Sequence, residues 1–190
     1  MNKKYQIIYC DPPWGFRGYD LKSEARYVGN KYAVMNLEDI QNLPINSIAD
    51  DDCILFLWVT MPKLNECWEL IKKWGFEYKT VAFTWVKRNK KSPSWFWGMG
   101  RWTRANAELC LLATKGKPKR INAGIHSVVD TPIRAHSQKP DEVRERIVRL
   151  VGDLPRIELF AREKTEGWDV WGNEVESDIE LVPQVETRNI

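Results

Sequence analysis

Four residues, Asp11, Pro12, Pro13 and Trp14, follow a short apolar run at Tyr5–Cys10 and have the types that could bind a flat, amine-bearing group. Neither proline has a backbone N–H, so the segment carries carbonyl acceptors without neighbouring donors. Asp11 adds a carboxylate and Trp14 adds an aromatic face. Two acceptors can take the hydrogens of an exocyclic NH2 group while the ring stacks on the tryptophan, and adenine fits this description.

Such an arrangement could promote methyl transfer to the amine. The lone pair of an aromatic amine is delocalised into its ring, and acceptors on both hydrogens favour a more pyramidal, electron-rich nitrogen. Holding that nitrogen in line with an electrophilic methyl group contributes on the order of several kcal/mol through proximity. The reaction needs neither a metal nor a covalent intermediate. The alternative is that Asp-Pro-Pro is only a rigid turn.

Composition indicates one α/β domain. The chain has 190 residues, of which 43% are hydrophobic, enough for a single core. It contains no run of about 18 apolar residues, so no membrane span is predicted. The N-terminal lysines lead directly into the first apolar run without the features of a signal peptide, so we expect a cytoplasmic protein. We predict a single domain at 1–176 and a polar C-terminal tail at 177–190.

The cysteines and histidines do not indicate a metal site. Each cysteine lies in an apolar stretch, none forms a CxxC pair, and the two histidines lack ligand spacing. We therefore predict buried free thiols and no metal. The four cysteines are Cys10, Cys53, Cys67 and Cys110.

Basic and aromatic side chains are concentrated in predicted loops. Basic clusters occur at 87–91 and 115–120, where they are either solvated or contact phosphates. The segment 92–106 is rich in Gly, Pro and Ser and carries three tryptophans beside Arg101 and Arg104. Loop aromatics next to arginines suit base stacking and phosphate contact. The alternative is a small hydrophobic cluster within the loop itself.

Hydrophobic periodicity predicts alternating strands and helices. Such alternation is typical of a doubly wound, mostly parallel α/β sheet. In open sheets of this class the ligand lies at the carboxyl ends of the strands, where Asp11 and Arg162 both fall. The predicted strands are 5–10, 53–59, 80–86, 108–113 and 156–160, and the predicted helices are 36–44, 62–75 and 140–152.

The sequence "DPPW" after a strand resembles the adenine 6-amino methyltransferases, the family that includes the catalytic subunit of the eukaryotic mRNA adenosine methyltransferase and bacterial and phage relatives. Further blocks occur in the family's order and span nearly the whole chain. They are "YAVMNLEDIQNLPI" (32–45), "GRWTRANAELCLLATKGKP" (100–118), "RAHSQKPDEVRERI" (134–147) and "IELFARE…GWDVWGNE" (157–174). The resemblance implies a Rossmann-like, S-adenosylmethionine-dependent methyltransferase fold with the permuted, beta-type motif order.

The resemblance also implies roles for individual residues. The residues of the DPPW motif would hold the target amine and the reacting methyl group. Lys139 would meet the carboxylate of S-adenosylmethionine, and Arg162 and Asn173 would bind its ribose. Glu174 would lie near the cofactor's adenine or ribose.

Two residues of the "IELFAR" block complete the implied cofactor site: Glu158, which would order the end of the strand, and Phe160. Structural alternatives remain for several of these assignments. Lys139 could be a solvated residue before a helix, Arg162 and Glu158 could form an ion pair, and Asn173 could be a turn residue.

Nucleic-acid contacts are expected from the loops at 14–34 and 87–106, which would close over the base. For the first loop, packing within the loop is the alternative. The candidate substrate-binding residues are Arg17, Tyr27, Tyr32, Trp102 and Arg104.

The expected function is methyl transfer from S-adenosylmethionine to the 6-amino group of adenine in nucleic acid, with the base reached outside the stack. DNA is favoured because a compact chain without accessory RNA-binding modules resembles the phage and bacterial members. The alternatives are an RNA adenosine methyltransferase, a non-catalytic partner subunit, and methylation of a small molecule or protein amide. A homodimer and a heteromeric partner are both compatible with the sequence.

Two features depart from the family pattern. The chain begins only ten residues before Asp11, so the upstream segment that helps to hold the cofactor in larger relatives is expected to be missing. Arg101 stands where relatives often carry an aromatic residue, which would alter the contact with the substrate.

Overall fold

Residues 3–15, 35–100, 102–135 and 137–182 are described by the computed structural model. Their strands form one sheet in the order β5-β3-β4-β2-β1-β6-β7. In chain order the strands are β1 (Tyr5–Cys10), β2 (Ala49–Val59), β3 (Glu77–Arg88), β4 (Glu108–Lys115), β5 (Val128–Pro132), β6 (Arg156–Leu159) and β7 (Asp169–Trp171).

The direction of β4 sets it apart from the other strands. It is antiparallel to both of its neighbours, β2 and β3. The remaining strand pairs are parallel. The predicted mostly parallel sheet is therefore confirmed. Because β4 runs backwards, its first residue lies at the edge where the other strands end, with Leu109 opposite Val59 and Lys115 opposite Cys53.

Helices cover both faces of the sheet, which confirms the doubly wound architecture. The helices α1 (Leu37–Gln41), α2 (Ile45–Ile48) and α3 (Cys67–Lys73) pack on one face together with Leu55, Leu57 and Leu159. A 3-10 helix at Met61–Glu66 precedes α3. The helix α4 (Glu142–Val151) packs on the other face against Ile7 and Phe56.

Helix α4 shows how the local sequence decides an element. Val143, Ile147 and Val151 repeat at four-residue spacing and are buried, so one side of the helix faces the sheet. The acidic Glu142 lies in its first turn, where the helix dipole is positive. Gly152 ends the helix with a φ of 104°, which a residue with a Cβ rarely adopts.

Two short strands and the chain end differ from the sequence predictions. Strands β5 and β7 were not predicted, because β5 has one buried residue, Val129, and therefore no apolar run, and β7 has only three residues. Within the predicted tail, Leu181 is buried in the core, and the backbone N–H of Val170 donates to the Asp178 carboxylate at 2.8 Å. Leu181 and Asp178 therefore contact the domain, whereas most of 177–182 is exposed, and 183–190 lie outside the described residues.

All four cysteines are buried and unpaired, as predicted. Among the described residues, no helix has the length and apolar character required to cross a bilayer.

Candidate active site

The Asp-Pro-Pro-Trp segment forms a tight turn directly after β1. The Trp14 N–H donates to the Pro12 carbonyl at 2.8 Å, and the Met35 N–H donates to the Pro13 carbonyl at 3.2 Å. Each proline carbonyl therefore already accepts one hydrogen bond from the backbone of this chain. A carbonyl oxygen has two lone pairs, so each can still accept a second hydrogen.

Trp14 is part of the core. Its side chain is only 4% exposed, and its indole Nε1 donates to the Trp58 carbonyl at 3.0 Å. The ring packs in the cluster that contains Leu57 and Ile40, so it does not present a free face to a base. The predicted stacking role is corrected: Trp14 anchors the turn between β1 and β2 and so fixes the position of Asp11.

Asp11 is paired with Lys139, which lies 128 residues away and precedes α4. Lys139 Nζ donates to Asp11 Oδ2 at 2.6 Å and to the Ser137 carbonyl at 3.3 Å. It also lies 3.2 Å from Glu108 Oε2 and 5.6 Å from the centre of the Trp58 ring. An ammonium group has three donors, and these three acceptors match them.

Glu108 and Lys87 extend this ion pair into a chain. Glu108 is the first residue of β4, and its Oε1 accepts a hydrogen bond from Lys87 Nζ on β3. The four side chains Asp11, Lys139, Glu108 and Lys87, named the charge chain below, alternate in sign. Their side chains are 29%, 8%, 14% and 15% exposed, so the Asp11 end is the open one.

The charges of this chain shift each other's pKa. Burial alone would lower the pKa of Lys139, but Asp11 and Glu108 raise it to about 12. Burial alone would raise the pKa of Glu108, but Lys139 and Lys87 hold it below its ordinary value. Burial raises the pKa of Asp11 against the opposing effect of Lys139.

Sequence reasoning missed Glu108 and misread Lys87. The usable signal for Glu108 was a lone acid at the start of an apolar strand, but a parallel β4 would have placed it at the opposite edge. Lys87 belongs to the basic cluster at 87–91, which was expected to be either solvated or in contact with phosphates, whereas its ammonium group is paired with Glu108 within the site. Arg88 of the same cluster is also paired, with Asp130 at 2.6 Å.

The second basic cluster, at 115–120, lies away from the site. Lys115 ends β4 and is in register with Cys53 in the first half of β2. That is the edge opposite Asp11. Any phosphate contact by this cluster would therefore lie at the edge of the sheet away from Asp11.

Glu158 on β6 is held by Arg144 of α4 rather than by Arg162. Arg144 Nε and Nη2 donate to its two carboxylate oxygens at 2.6 and 2.9 Å. Burial raises the pKa of Glu158, which Arg144 opposes. This bidentate pair ties α4 to the sheet. The structural alternative for Glu158, an ion pair, is therefore present, with Arg144 as its partner.

The remaining predicted cofactor residues lie on two adjacent turns after β6 and β7. The Ala161 N–H donates to the Trp171 carbonyl at 3.0 Å. A Cβ on Gly172 would approach the Ala161 carbonyl oxygen to 2.1 Å, so only glycine allows this contact. Across these turns Arg162 Nε lies 3.5 Å from Glu174 Oε1. Asn173 is exposed between them.

Two non-glycine residues in the described part of the chain have positive φ, and both adjoin the predicted site. Phe160 has a φ of 60° and lies between β6 and Arg162, with its ring against Trp171. Ser137 has a φ of 59° and offers its carbonyl to Lys139. Such conformations persist where surrounding contacts enforce them, and they are enriched at functional sites.

The described residues 88–100 and 102–105 form an arm that extends from β3. Two antiparallel bridges lie within it, one between Arg88 and Trp95 and one between Gly98 and Ala105. Asn106 ties the arm to the sheet through the Lys87 backbone at 2.8 and 2.9 Å. The arm is therefore attached rigidly to the sheet at a point next to the charge chain.

The arm carries two predicted substrate-binding residues. Trp102 is 99% exposed, and Arg104 donates to the Trp97 carbonyl at 3.5 Å. Exposed Trp95 stacks on Arg88 at 4.1 Å. The other three predicted contacts, Arg17, Tyr27 and Tyr32, lie outside the described residues, as does Arg101. Within the described ranges no cluster of His, Cys, Asp or Glu could hold a metal ion.

The sequence match to known proteins covers this whole arrangement. The MT-A70 family model matches residues 5–174, from β1 to Glu174. The chain belongs to the MT-A70 family. This confirms the resemblance drawn from the DPPW motif and identifies an S-adenosylmethionine-dependent adenine methyltransferase family with a Rossmann-like fold.

MT-A70 relatives of two kinds match the chain. The type II methyltransferase M.MunI of a Mycoplasma species is 39% identical over 202 residues, which cover 97% of this chain and 84% of that protein. The N(6)-adenosine-methyltransferase MT-A70-like protein of Drosophila melanogaster is 31% identical over 97% of this chain. The human catalytic subunit METTL3 has the same identity and coverage. The chain spans 30% of the length of each of these two animal proteins.

Proposed function

We propose that this protein transfers a methyl group from S-adenosylmethionine to the exocyclic 6-amino group of adenine in DNA. The observation that carries the proposal is the placement of Asp11. Its carboxylate lies at the carboxyl edge of the sheet after β1, partly exposed, and is fixed by the buried ammonium group of Lys139. In open α/β sheets this edge is where ligands bind.

The Asp11 carboxylate accepts a hydrogen bond from the target amine. Together with the free lone pair of the Pro12 or Pro13 carbonyl, it orients both N–H groups and fixes the direction of the nitrogen lone pair. Bound S-adenosylmethionine supplies an electrophilic methyl group. Asp11 and the proline carbonyl would hold the amine so that its lone pair faces that methyl group, and the proton that the amine gives up on methylation would pass to solvent. Asp11 stabilises the positive charge that develops on the nitrogen.

The turns after β6 and β7 would hold the cofactor. Asn173 and Glu174 offer an amide and a carboxylate, which can bind ribose hydroxyls, and the glycine contact at Gly172 keeps them beside Arg162. Lys139 can meet the cofactor carboxylate only by exchanging one of its three present acceptors. The donor set therefore fits S-adenosylmethionine, with Lys139 shared between cofactor and Asp11.

The arm would contact the nucleic-acid strand that contains the target base. Its exposed tryptophans and Arg104 suit bases and phosphates, and base–aromatic stacking contributes about 1–3 kcal/mol per base. DNA is favoured because the match to the type II methyltransferase extends over most of that protein, whereas the match to the adenosine methyltransferases covers a minor part of each.

Mass spectrometry of nucleosides would test the proposal. Purified protein is incubated with S-adenosylmethionine and duplex DNA, single-stranded DNA, duplex RNA or single-stranded RNA, with Asp11→Asn as the inactive control. We expect 6-methyladenine in a DNA substrate. Methylation of RNA alone would refute the DNA assignment. No product with any substrate, despite cofactor binding by calorimetry, would contradict stand-alone activity and indicate a required partner subunit or another acceptor.

The arm can be tested separately. Trp102→Ala should weaken DNA binding by about five- to a hundredfold if the ring stacks on a base. The melting temperature should not change, because the side chain is almost fully exposed. Ile121→Ala is a matched control, since Ile121 is also exposed but lies outside the arm. Equal affinities for the two variants would show that Trp102 does not contact the nucleic acid.

A further inference from the structure

The charge chain has one open end and one closed end. Asp11 is its most exposed member, whereas the other three side chains are largely buried. The chain holds two cations and two anions, so its net charge is zero. Because each member contacts the next, a change of charge at Lys87 reaches Asp11 through Glu108 and Lys139.

Both lysines of the chain are fixed by more than their ion pairs. Lys87 Nζ lies 4.9 Å from the centre of the Trp85 ring, and the Lys87 backbone is clamped by Asn106 through two hydrogen bonds. Lys139 lies over Trp58. Cation–π contacts of partly desolvated lysines favour these positions over alternative rotamers. Lys139 therefore approaches Asp11 from a defined direction.

We propose that Glu108 and Lys87 are positioning residues that fix Lys139 and, through it, set the orientation and charge of the Asp11 carboxylate. The proposal rests on the function proposed above, in which Asp11 faces the target amine. Glu108 draws Lys139 away from a purely bidentate contact with Asp11, so one carboxylate oxygen stays available. Lys87 balances Glu108, which would otherwise compete fully for Lys139.

The two residues must act on Asp11 in opposite directions. Glu108→Gln removes a negative charge near Asp11 and leaves Lys139 to pair with Asp11 alone, so the Asp11 pKa should fall. Lys87→Met removes a positive charge and leaves Glu108 to bind Lys139 more strongly, so the Asp11 pKa should rise. A role confined to packing would not produce shifts of opposite sign.

Other titratable groups also face Asp11. The Arg162 guanidinium lowers its pKa from the β6 side, to a smaller extent than Lys139. Burial is the main cause that raises the pKa of Glu158 and of the Cys10 and Cys110 thiols, and the charge of Asp11 adds to each shift. These groups are unchanged in both variants. They set a common baseline and do not alter the sign of either shift.

Carbon-13 NMR titration of the side-chain carboxyl groups in the free protein would test the proposal without relying on activity. The Asp11 signal is assigned by its loss in Asp11→Asn. We expect about a tenfold increase in the Asp11 proton dissociation constant in Glu108→Gln and about a tenfold decrease in Lys87→Met. Lys87→Arg, which keeps the charge, and Lys90→Met, an exposed lysine nearby, should leave it unchanged.

Shifts of the same sign, or none, would overturn the proposal. If one variant does not fold by circular dichroism, a shift of the wrong sign or no shift in the other variant still overturns the proposal. The pH profile of kcat/KM, measured with the nucleic acid that the protein methylates, then provides a second readout. Its acid limb reports the pKa of a group in the free enzyme. That limb should move to lower pH in Glu108→Gln and to higher pH in Lys87→Met. An inactive wild-type protein would refute the proposed function, while the NMR result would still decide the role of the chain.

Discussion

The charge chain and the Arg144–Glu158 pair are two ion-pair systems of similar burial that end differently. Arg144 and Glu158 match each other's donors and acceptors in a bidentate contact, and their side chains are 13% and 11% exposed. The charge chain ends on Asp11, which retains more exposure than its partners. A closed pair is suited to fastening α4 to β6, whereas an open-ended chain is suited to presenting a carboxylate to a ligand.

The two systems share one aromatic support. Arg144 lies 5.9 Å from the centre of the Tyr9 ring, and the Tyr9 hydroxyl accepts a 2.7 Å hydrogen bond from Trp58 Nε1. Trp58 in turn lies beneath Lys139. The Arg144–Glu158 pair therefore helps to position Trp58, against which Lys139 of the charge chain packs. We expect substitutions in the pair to change stability first and substitutions in the charge chain to change catalysis first.

Replacement at the open end should have the largest effect. Asp11→Asn keeps the shape but removes the anion that stabilises the reacting nitrogen, so we expect kcat to fall on the order of 10⁴-fold. The free energy of unfolding should change little, because Lys139 keeps Glu108 as a partner. Single-turnover kinetics and urea denaturation measure the two quantities. A tenfold loss or less would mean that Asp11 is not the group facing the amine.

Breaking the closed pair should mainly affect stability. Arg144→Met leaves the Glu158 carboxylate buried without its partner, which should lower the free energy of unfolding by about 3–5 kcal/mol. Arg149→Met, at an exposed position on the same helix, is the control and should change it little. Urea denaturation gives both values. Loss of activity in fully folded Arg144→Met with unchanged stability would reverse the assignment of the two systems.

A smaller effect is expected at the anchor of the turn. Trp14→Phe removes the indole donor and leaves the buried Trp58 carbonyl without that bond, which should cost about 1–3 kcal/mol of stability. The rate of methyl transfer should fall while affinity for the nucleic acid stays constant, because the ring is buried. Trp97→Phe, in the exposed arm, is the comparison for stability. A selective loss of base binding in Trp14→Phe would restore the stacking role.

The most subtle difference between the systems lies in their glutamates. Two lysines hold the pKa of Glu108 below the ordinary glutamate value of about 4.3, whereas burial raises that of Glu158 above it. At pH values above the ordinary glutamate pKa, ionised Glu108 therefore stabilises the folded protein. This stabilisation is lost as the pH falls through the pKa of Glu108 in the folded state. The pH dependence of stability that Glu158 contributes has the opposite sign, since protonation removes a buried negative charge. NMR titration, with Glu108→Gln and Glu158→Gln to assign the signals, would measure both pKa values. A pKa of Glu108 above that of Glu158 would contradict the prediction.

Local sequence was sufficient to predict much of the fold. The run at Tyr5–Cys10 gave a strand with the predicted bounds, and the spacing of Val143, Ile147 and Val151 with Gly152 gave α4. These signals are strong because burial on one or both sides imposes a period on the residues themselves. The DPPW motif and its order relative to the later blocks were sufficient to predict the MT-A70 family.

Other features depended on which strands are neighbours. The reversed direction of β4 placed Glu108 beside Lys139 and removed the 115–120 cluster from the site. A strand's sequence carries its period but not its direction in the sheet, because side chains alternate in the same way in both directions. The charge chain joins residues 11, 87, 108 and 139, and the burial of Trp14 depends on β2. The sequence by itself determined the chemical groups of the site, whereas the tertiary structure alone decided which charges meet, because ion pairing depends on distances of a few ångströms between segments far apart in the chain.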